Sequence, residues 1–337
     1  MAKKDRYQQL DAAVQALLAR PAGRASQRRL QGNAQLAALV RLAEDLRGLP
    51  RIEFREQLKK EMLMSTAPAP QTAAISSKEA VKLRTVTPYI VALKALELVE
   101  FYKHAFGALV NVQGKGSAGG YHIEVELGDS MLMVGGGGEF RGPELPTALW
   151  YFVEDTDTVY RRALDLGATS ISEPVDQPYG DREAGIKDLG GNTWYISTHR
   201  GARYIREGLT TVTPYLHPRS GAQQIDFLER AFQAQVLERH DDPDGAVRHA
   251  LLRMGESRIA LGEARGPYQP MPTMFYLNVD GVDSWYQRAV EAGATPMHAP
   301  ASQPYGARVG AVKDPFDNQW WISEPAARPP DPRKVER

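Results

Sequence analysis

Cysteine is absent from all 337 residues, which removes disulfides, thiolate nucleophiles and zinc–thiolate sites from consideration. Excess charge is absent too. Lysine plus arginine and aspartate plus glutamate each number 41, so no overall basic field marks a nucleic-acid-binding chain. No apolar run approaches the roughly 18 residues of a membrane span. Met1-Ala2-Lys3-Lys4-Asp5 leads into a polar amphipathic stretch rather than the apolar core of a signal peptide. These absences leave a soluble, cytoplasmic chain as the expectation, long enough for about two domains and an appendage.

What is present is a stretch written twice. Gln177-Pro178-Tyr179-Gly180, Lys187-Asp188, Asn192, Trp194, Ile196 and Ser197 recur as Gln303-Pro304-Tyr305-Gly306, Lys313-Asp314, Asn318, Trp320, Ile322 and Ser323, at a constant offset of 126. The same offset relates Thr87-Pro88-Tyr89 to Thr213-Pro214-Tyr215, and Phe101…Ala105-Phe106 to Phe227…Ala231-Phe232. His122 and Gly128 match His249 and Gly255 at 127, which marks a single inserted residue. The chain is a tandem duplication.

Residues 1–64 stand outside the repeat. Leu10, Val14, Leu17 and Leu18, then Leu36, Leu39, Val40 and Ala43, then Phe54, Leu58 and Met62 fall at helical spacing, broken at Pro21-Ala22-Gly23 and Gly48-Leu49-Pro50. This predicts an α-helical arm, basic by six charges (13 Lys/Arg against 7 Asp/Glu). No aromatic interleaving accompanies that charge, so the arm reads first as a solvated element that packs on the main body or on a second copy of the chain, with a partner protein or, less favoured, nucleic acid as the alternatives. Residues 65–84 have the Pro/Ala/Ser composition of a linker. The first copy fills 85–200, a second linker 201–210, the second copy 211–325 and a polar tail 326–337. Within each copy the order strand, helix and three strands occurs twice, with Gly107 ending the first helix and Gly128-Asp129 forming a tight hairpin. The fold class is α+β: two tandem domains, each of paired βαβββ units, behind a helical arm.

That order, with Thr87-Pro88-Tyr89, Phe101-Tyr102…Ala105-Phe106-Gly107, His122…Gly128-Asp129 and Gly180…Arg182…Lys187-Asp188…Asn192-x-Trp194, resembles the vicinal oxygen chelate superfamily of glyoxalases, bleomycin-resistance proteins and extradiol dioxygenases. More narrowly it looks like its PhnB-like branch. The resemblance covers about residues 85–325 and implies that the two units of a copy curl their strands around a concave pocket, with helices outside. It also implies metal ligands at four strand positions per copy. Carried over, these fall near Tyr89, Met133, Ala148 and Ser197, and near Tyr215, Ala260, Met274 and Ser323. None is the imidazole or carboxylate a divalent ion takes in such a site. The expectation is therefore no metal and no other cofactor, a divalent metal enzyme (lyase or dioxygenase) being the alternative.

Side chains alternate along a strand, so the apolar set facing the helices fixes the pocket-facing set. In the first copy this places Tyr89, His122, Glu124, Glu126, Met131, Met133, Trp150, Phe152, Tyr195 and Ser197 inward. In the second it places Tyr215, His217, His249, Arg258, Tyr276, Asn278, Trp321 and Ser323 inward. Aromatic and thioether walls with a few polar groups suit a small apolar or aromatic organic molecule. His122, Glu124 and Glu126 share one strand face and form the candidate catalytic group, either an acid–base set for a metal-free isomerase or lyase or simply a wetted polar face. Arg182 and Arg308 follow the Gln-Pro-Tyr-Gly turn, where they either bind a ligand anion or brace the turn. A further reading makes the chain a ligand-sensing interaction protein docked through its arm. Asp188, Asp314, Asn192 and Asn318 read as hairpin-turn formers, Trp194 and Trp320 as core.

Overall fold

A computed structural model describes residues 83–324 except 117, 267 and 305. The arm at 1–64, nearly all of the first linker, Tyr305 and the tail at 326–337 lie outside the described residues. Four βαβββ units follow one another, as the repeat predicts. The first is β1 (Val86–Ala92), α1 (Ala95–Phe106), β2 (Leu109–Lys115), β3 (Tyr121–Leu127) and β4 (Ser130–Gly136). The second is β5 (Ala148–Phe152), α2 (Thr156–Asp165), β6 (Thr169–Asp176), β7 (Asp181–Lys187) and β8 (Thr193–His199). The third comprises β9 (Val212–Leu216), α3 (Gly221–Phe232), β10 (Gln235–Asp241), β11 (Val247–Met254) and β12 (Ser257–Leu261). The fourth comprises β13 (Met274–Asn278), α4 (Val282–Glu291), β14 (Thr295–Ser302), β15 (Arg308–Lys313) and β16 (Gln319–Glu324).

Local sequence accounts for the helix ends. Gly107 closes α1 at φ 73°, a left-handed conformation that costs glycine nothing. At the matching end of α3 the left-handed residue is Gln233, φ 53°. Asp155 caps α2 by accepting the Thr158 N–H at 3.1 Å.

The strands form two eight-stranded sheets, and their composition departs from the expected pairing. One runs β14-β15-β16-β13-β1-β4-β3-β2, the other β10-β11-β12-β9-β5-β8-β7-β6. The first unit is thus continuous with the fourth and the second with the third, each join being antiparallel between first strands: Tyr89 opposite Met274, and Ala148 opposite Tyr215. The two units of one copy do not curl around a common pocket. They share instead the helix-side core: Leu98, Phe101, Tyr102 and Phe106 of α1 pack with Tyr151, Trp194 and Ile196 of the second unit, and the second copy builds a matching cluster around Phe227, Phe232, Phe275 and Trp320. The core follows the duplication while the sheets cross it. Each first strand has one edge paired inside its own unit, and the other edge must find a partner. Both possible partners carry the same alternation, so pattern alone does not choose.

Reciprocal hydrogen bonds lock the copies together. Ser130 Oγ accepts the Val212 N–H at 2.9 Å, and Ser257 Oγ accepts the Val86 N–H at 2.8 Å. The hairpin glycines just before these serines are required: a Cβ on Gly128 would strike Thr211, and one on Gly255 would strike Thr85.

The buried turns behave as expected. Asp188 is 6% exposed and accepts from Tyr102 Oη (2.7 Å), Trp194 Nε1 (2.8 Å) and the Asn192 N–H (3.0 Å). Asp314 repeats this with Gln224 Nε2, Trp320 Nε1 and Asn318. Trp194 and Trp320 are fully buried.

Candidate functional site

The concave face of the second sheet holds a cavity of about 570 Å³. Its wall comes from both copies. Trp150 on β5, Glu183 on β7 and Tyr195 on β8 belong to the first, Tyr215 on β9, His217 and His249 on β11 to the second. Tyr179, Arg206 and Tyr268 reach it from loops, and Glu238 and His240 from β10. The rings meet at an angle. Tyr195 and Tyr215 have centroids 5.2 Å apart at 59°, Tyr195 and Tyr268 6.1 Å apart at 59°, and Tyr268 stacks on His217 at 5.5 Å and 9°. Gly262 lines the same wall, where a Cβ would come within 2.9 Å of both Tyr215 Oη and the Arg248 carbonyl oxygen.

Burial sets the protonation states. His217, 8% exposed, has its pKa pushed down from 6.5 to about 4 by desolvation of the charged form, so the imidazole is neutral at pH 7. The carbonyl of Gly262 lies 3.2 Å from Nδ1 and can only accept, which puts the single proton on Nδ1. Nε2 is then an acceptor and receives the Tyr195 hydroxyl at 2.7 Å. The pKa values of Tyr195 and Tyr215 are raised, first by desolvation, and both are phenols. His249 is pushed down by burial and stands 3.3 Å from Tyr215 Oη through Nδ1.

Glu183 is a half-buried carboxyl of the cavity. Trp150 Nε1 donates to Ser197 Oγ at 2.8 Å, and Ser197 Oγ donates to Glu183 Oε2 at 2.9 Å. Desolvation raises the Glu183 pKa and the nearby Asp181 adds to the rise, while hydrogen bonds from Ser197 and Tyr179 and the charge of Arg206 oppose it. Arg206 lies over the rings of Trp150 and Tyr179, 5.3 and 5.0 Å from their centroids, and its Nε donates to the fully buried Asp181 at 2.9 Å.

The sequence-predicted residues divide between the sheets. Trp150, Tyr195, Tyr215, His217 and His249 come together at this cavity, and Phe152 is buried against Trp150 at 4.9 Å. Tyr89, Tyr276 and Trp321 lie on the other sheet as a stacked row, with centroids 5.6 and then 6.3 Å apart. His122, Glu124, Glu126, Met131 and Met133 are on that sheet too, with His122 Nδ1 3.3 Å from Tyr89 Oη and Nε2 3.8 Å from Glu124. Glu126 is buried and accepts from Asn111 Nδ2 at 3.1 Å. The expected grouping of His122, Glu124 and Glu126 with Trp150 and Phe152 is therefore corrected: parity along each strand holds, but the two sets belong to different sheets. Arg182 pairs with Asp157 and, at 2.9 Å, Asp176; Arg308 pairs with Asp283 at 2.6 Å. Both bridge a strand to a neighbouring helix and neither lines the cavity.

The superfamily's metal positions regroup in the same way. On the second sheet they become Ala148, Ser197, Tyr215 and Ala260, and on the first Tyr89, Met133, Met274 and Ser323. Neither set offers an imidazole or a carboxylate, so these residues do not fit a divalent ion. Among the described residues no group of three His, Asp or Glu is arranged to hold one.

Glu183, Arg206, Tyr268, Glu238 and His240 were not picked out by pattern. The duplication offset contains the signal for one of these: Glu183 corresponds to Val309.

The sequence model of the Glyoxalase/Bleomycin resistance protein/Dioxygenase superfamily matches residues 219–322. An uncharacterized protein of Mycobacterium bovis is 35% identical over 125 residues, spanning 34% of this chain and 82% of its own. An uncharacterized protein of Mycobacterium tuberculosis matches equally over 74% of its length. Among solved structures, glyoxalase I from Zea mays superposes with a TM-score of 0.56 at 12% identity, covering 72% of this chain and 92% of that one, a likeness of fold alone. The chain belongs to the Glyoxalase/Bleomycin resistance protein/Dioxygenase superfamily, in a tandem arrangement of four βαβββ units.

Proposed function

We propose that this chain, as a PhnB-like member of the superfamily, binds a small planar organic molecule in the cavity of the second sheet, without a metal at the superfamily positions. One observation carries the reading: Trp150, Tyr179, Tyr195, Tyr215 and Tyr268 converge on a single 570 Å³ cavity, a volume suited to a molecule of one to three rings. Neutral His217 and half-buried Glu183 add the few polar contacts that orient a ligand in an otherwise apolar wall. Should turnover of the isomerase or lyase kind accompany binding, Glu183 is the group to move the proton. We assign it that role in preference to His122, Glu124 and Glu126, which share no sheet with the cavity.

A thermal-shift screen of mono-, bi- and tricyclic aromatics on the wild-type chain and on Tyr215→Ala tests the binding. A ligand at 100 times its Kd stabilises the wild type by about 2.7 kcal/mol and the variant by far less. A screen in which every stabilising compound acts equally on both proteins would place the site elsewhere.

A further inference from the structure

We propose that the ligand is an organic cation, a planar ring bearing a positively charged nitrogen, caged by Tyr195, Tyr215 and Tyr268 and faced by the carboxylates of Glu183, Glu238 and Glu263. The proposal rests on the cavity being the binding site and adds the chemistry it selects. Three independent features point the same way.

The first is the rings. Tilted aromatic faces make a concave wall of negative π density, the surface that receives ammonium and guanidinium groups. This cavity already receives one: the Arg206 guanidinium stacks on Trp150 and Tyr179.

The second is the direction of the hydroxyl. The Gly262 carbonyl fixes the His217 proton on Nδ1, and Nε2 draws the Tyr195 proton to itself. Tyr195 therefore offers lone pairs, not a donor, to whatever occupies the cavity. The wall is acceptor-rich at its aromatic centre.

The third is the balance of charge. Glu183 accepts from Ser197, Glu238 lies 2.7 Å from His240 Nε2, and Glu263 accepts the Gly221 N–H at 2.9 Å. Among the described residues none of the three pairs with a lysine or arginine. The two lining guanidiniums already hold aspartates outside the wall, Arg206 with Asp181 at 2.9 Å and Arg248 with Asp242 at 3.6 Å. Arg206 still reaches Glu183 and Glu238 with part of its field, and Arg265 reaches Glu263, but both guanidiniums are already paired with aspartates. The placement of the charge is particular to this sheet, since the other carries its carboxylates on β3, at Glu124 and Glu126. At the matching places the other carries Val309 for Glu183, and Gly114 opposite His122 where His240 stands opposite His249.

Calorimetric titration at pH 8 with N-methylquinolinium, neutral quinoline and anionic 1-naphthoate tests this directly. The proposal expects the cation to bind about tenfold tighter than quinoline and naphthoate to bind weakest. Glu183→Gln should cut the preference for cation over quinoline about threefold or more, the ratio of the two affinities being the readout whatever happens to quinoline itself. Glu238→Gln, at an exposed side chain where folding is not at stake, should do the same to a smaller degree. Equal affinities, a preference for naphthoate, or a cation preference untouched by both variants would overturn the proposal while leaving the binding site standing. If none of the three probes binds, both the proposal and the binding reading fall.

Discussion

His217 should make the fold acid-sensitive in a way that can be calculated. Its imidazole is buried and neutral, with a folded pKa near 4 against 6.5 in the unfolded chain. Between these values the unfolded chain binds more protons, so this contribution is fully present above pH 6.5 and is lost as pH falls toward 4. With those two values the linkage relation gives a loss of about 2 kcal/mol between pH 7 and pH 5. That is a substantial part of the stability of an ordinary domain. The groups facing His217 are Tyr195, Tyr215, Tyr268 and the Gly262 carbonyl, none of them a carboxylate or a second imidazole, so the effect belongs to the His217 ring. The assay is urea unfolding at pH 7 and pH 5 for the wild type and for His217→Gln, whose amide oxygen keeps an acceptor toward Tyr195. The wild type should lose about 2 kcal/mol more than the variant across this interval. Equal losses would refute the assignment of a buried neutral imidazole.

Glu183 carries the opposite sign. Its raised pKa means that the folded chain holds the proton more tightly, so its contribution declines as pH rises from the ordinary carboxylate range through the folded value. Glu183→Gln should be more stable than the parent in thermal unfolding at pH 8 and equal to it near pH 4. Gly262→Ala places a Cβ 2.9 Å from a backbone oxygen and from Tyr215 Oη. It should cost roughly 1–3 kcal/mol in urea unfolding and weaken ligand affinity, the second being absent if Tyr215 takes no part in the site. Gln233→Gly relieves a left-handed side-chain-bearing residue at the end of α3. Chemical denaturation should show a gain of roughly 0.5–1 kcal/mol, and a loss would mean that the Gln233 side chain contributes more than its backbone costs.

Much of the fold was legible in the sequence because duplication and alternation are local signals. The boundaries of β1, the Gly107 cap, the inward turn of His122 and Glu124 and the burial of Trp194 all follow from residues within one or two turns of chain. Pairing of the units was not legible. β1 and β5 present the same kind of free edge, and whether β5 joins β1 or β9 leaves every strand's alternation unchanged. That choice decides the site, since it separates Trp150 from Met133 and brings it to His249, 5.9 Å away between ring centroids. Arg206 and Tyr268 were illegible for another reason: they lie on loops, where no periodicity says which way a side chain points.

If the site follows the sheet and not the copy, four variants will separate in pairs that cross the duplication. N-methylquinolinium, or the best compound from the thermal-shift screen, is titrated into Trp150→Ala, Tyr215→Ala, Tyr89→Ala and Tyr276→Ala. Trp150 and Tyr215 come from different copies but one sheet, as do Tyr89 and Tyr276. Affinity should fall about tenfold or more for Trp150→Ala and Tyr215→Ala, with the other two unchanged. Losses at Tyr89 and Trp150 together, with Tyr215 and Tyr276 spared, would restore a pocket built within a single copy and contradict a site that follows the sheet.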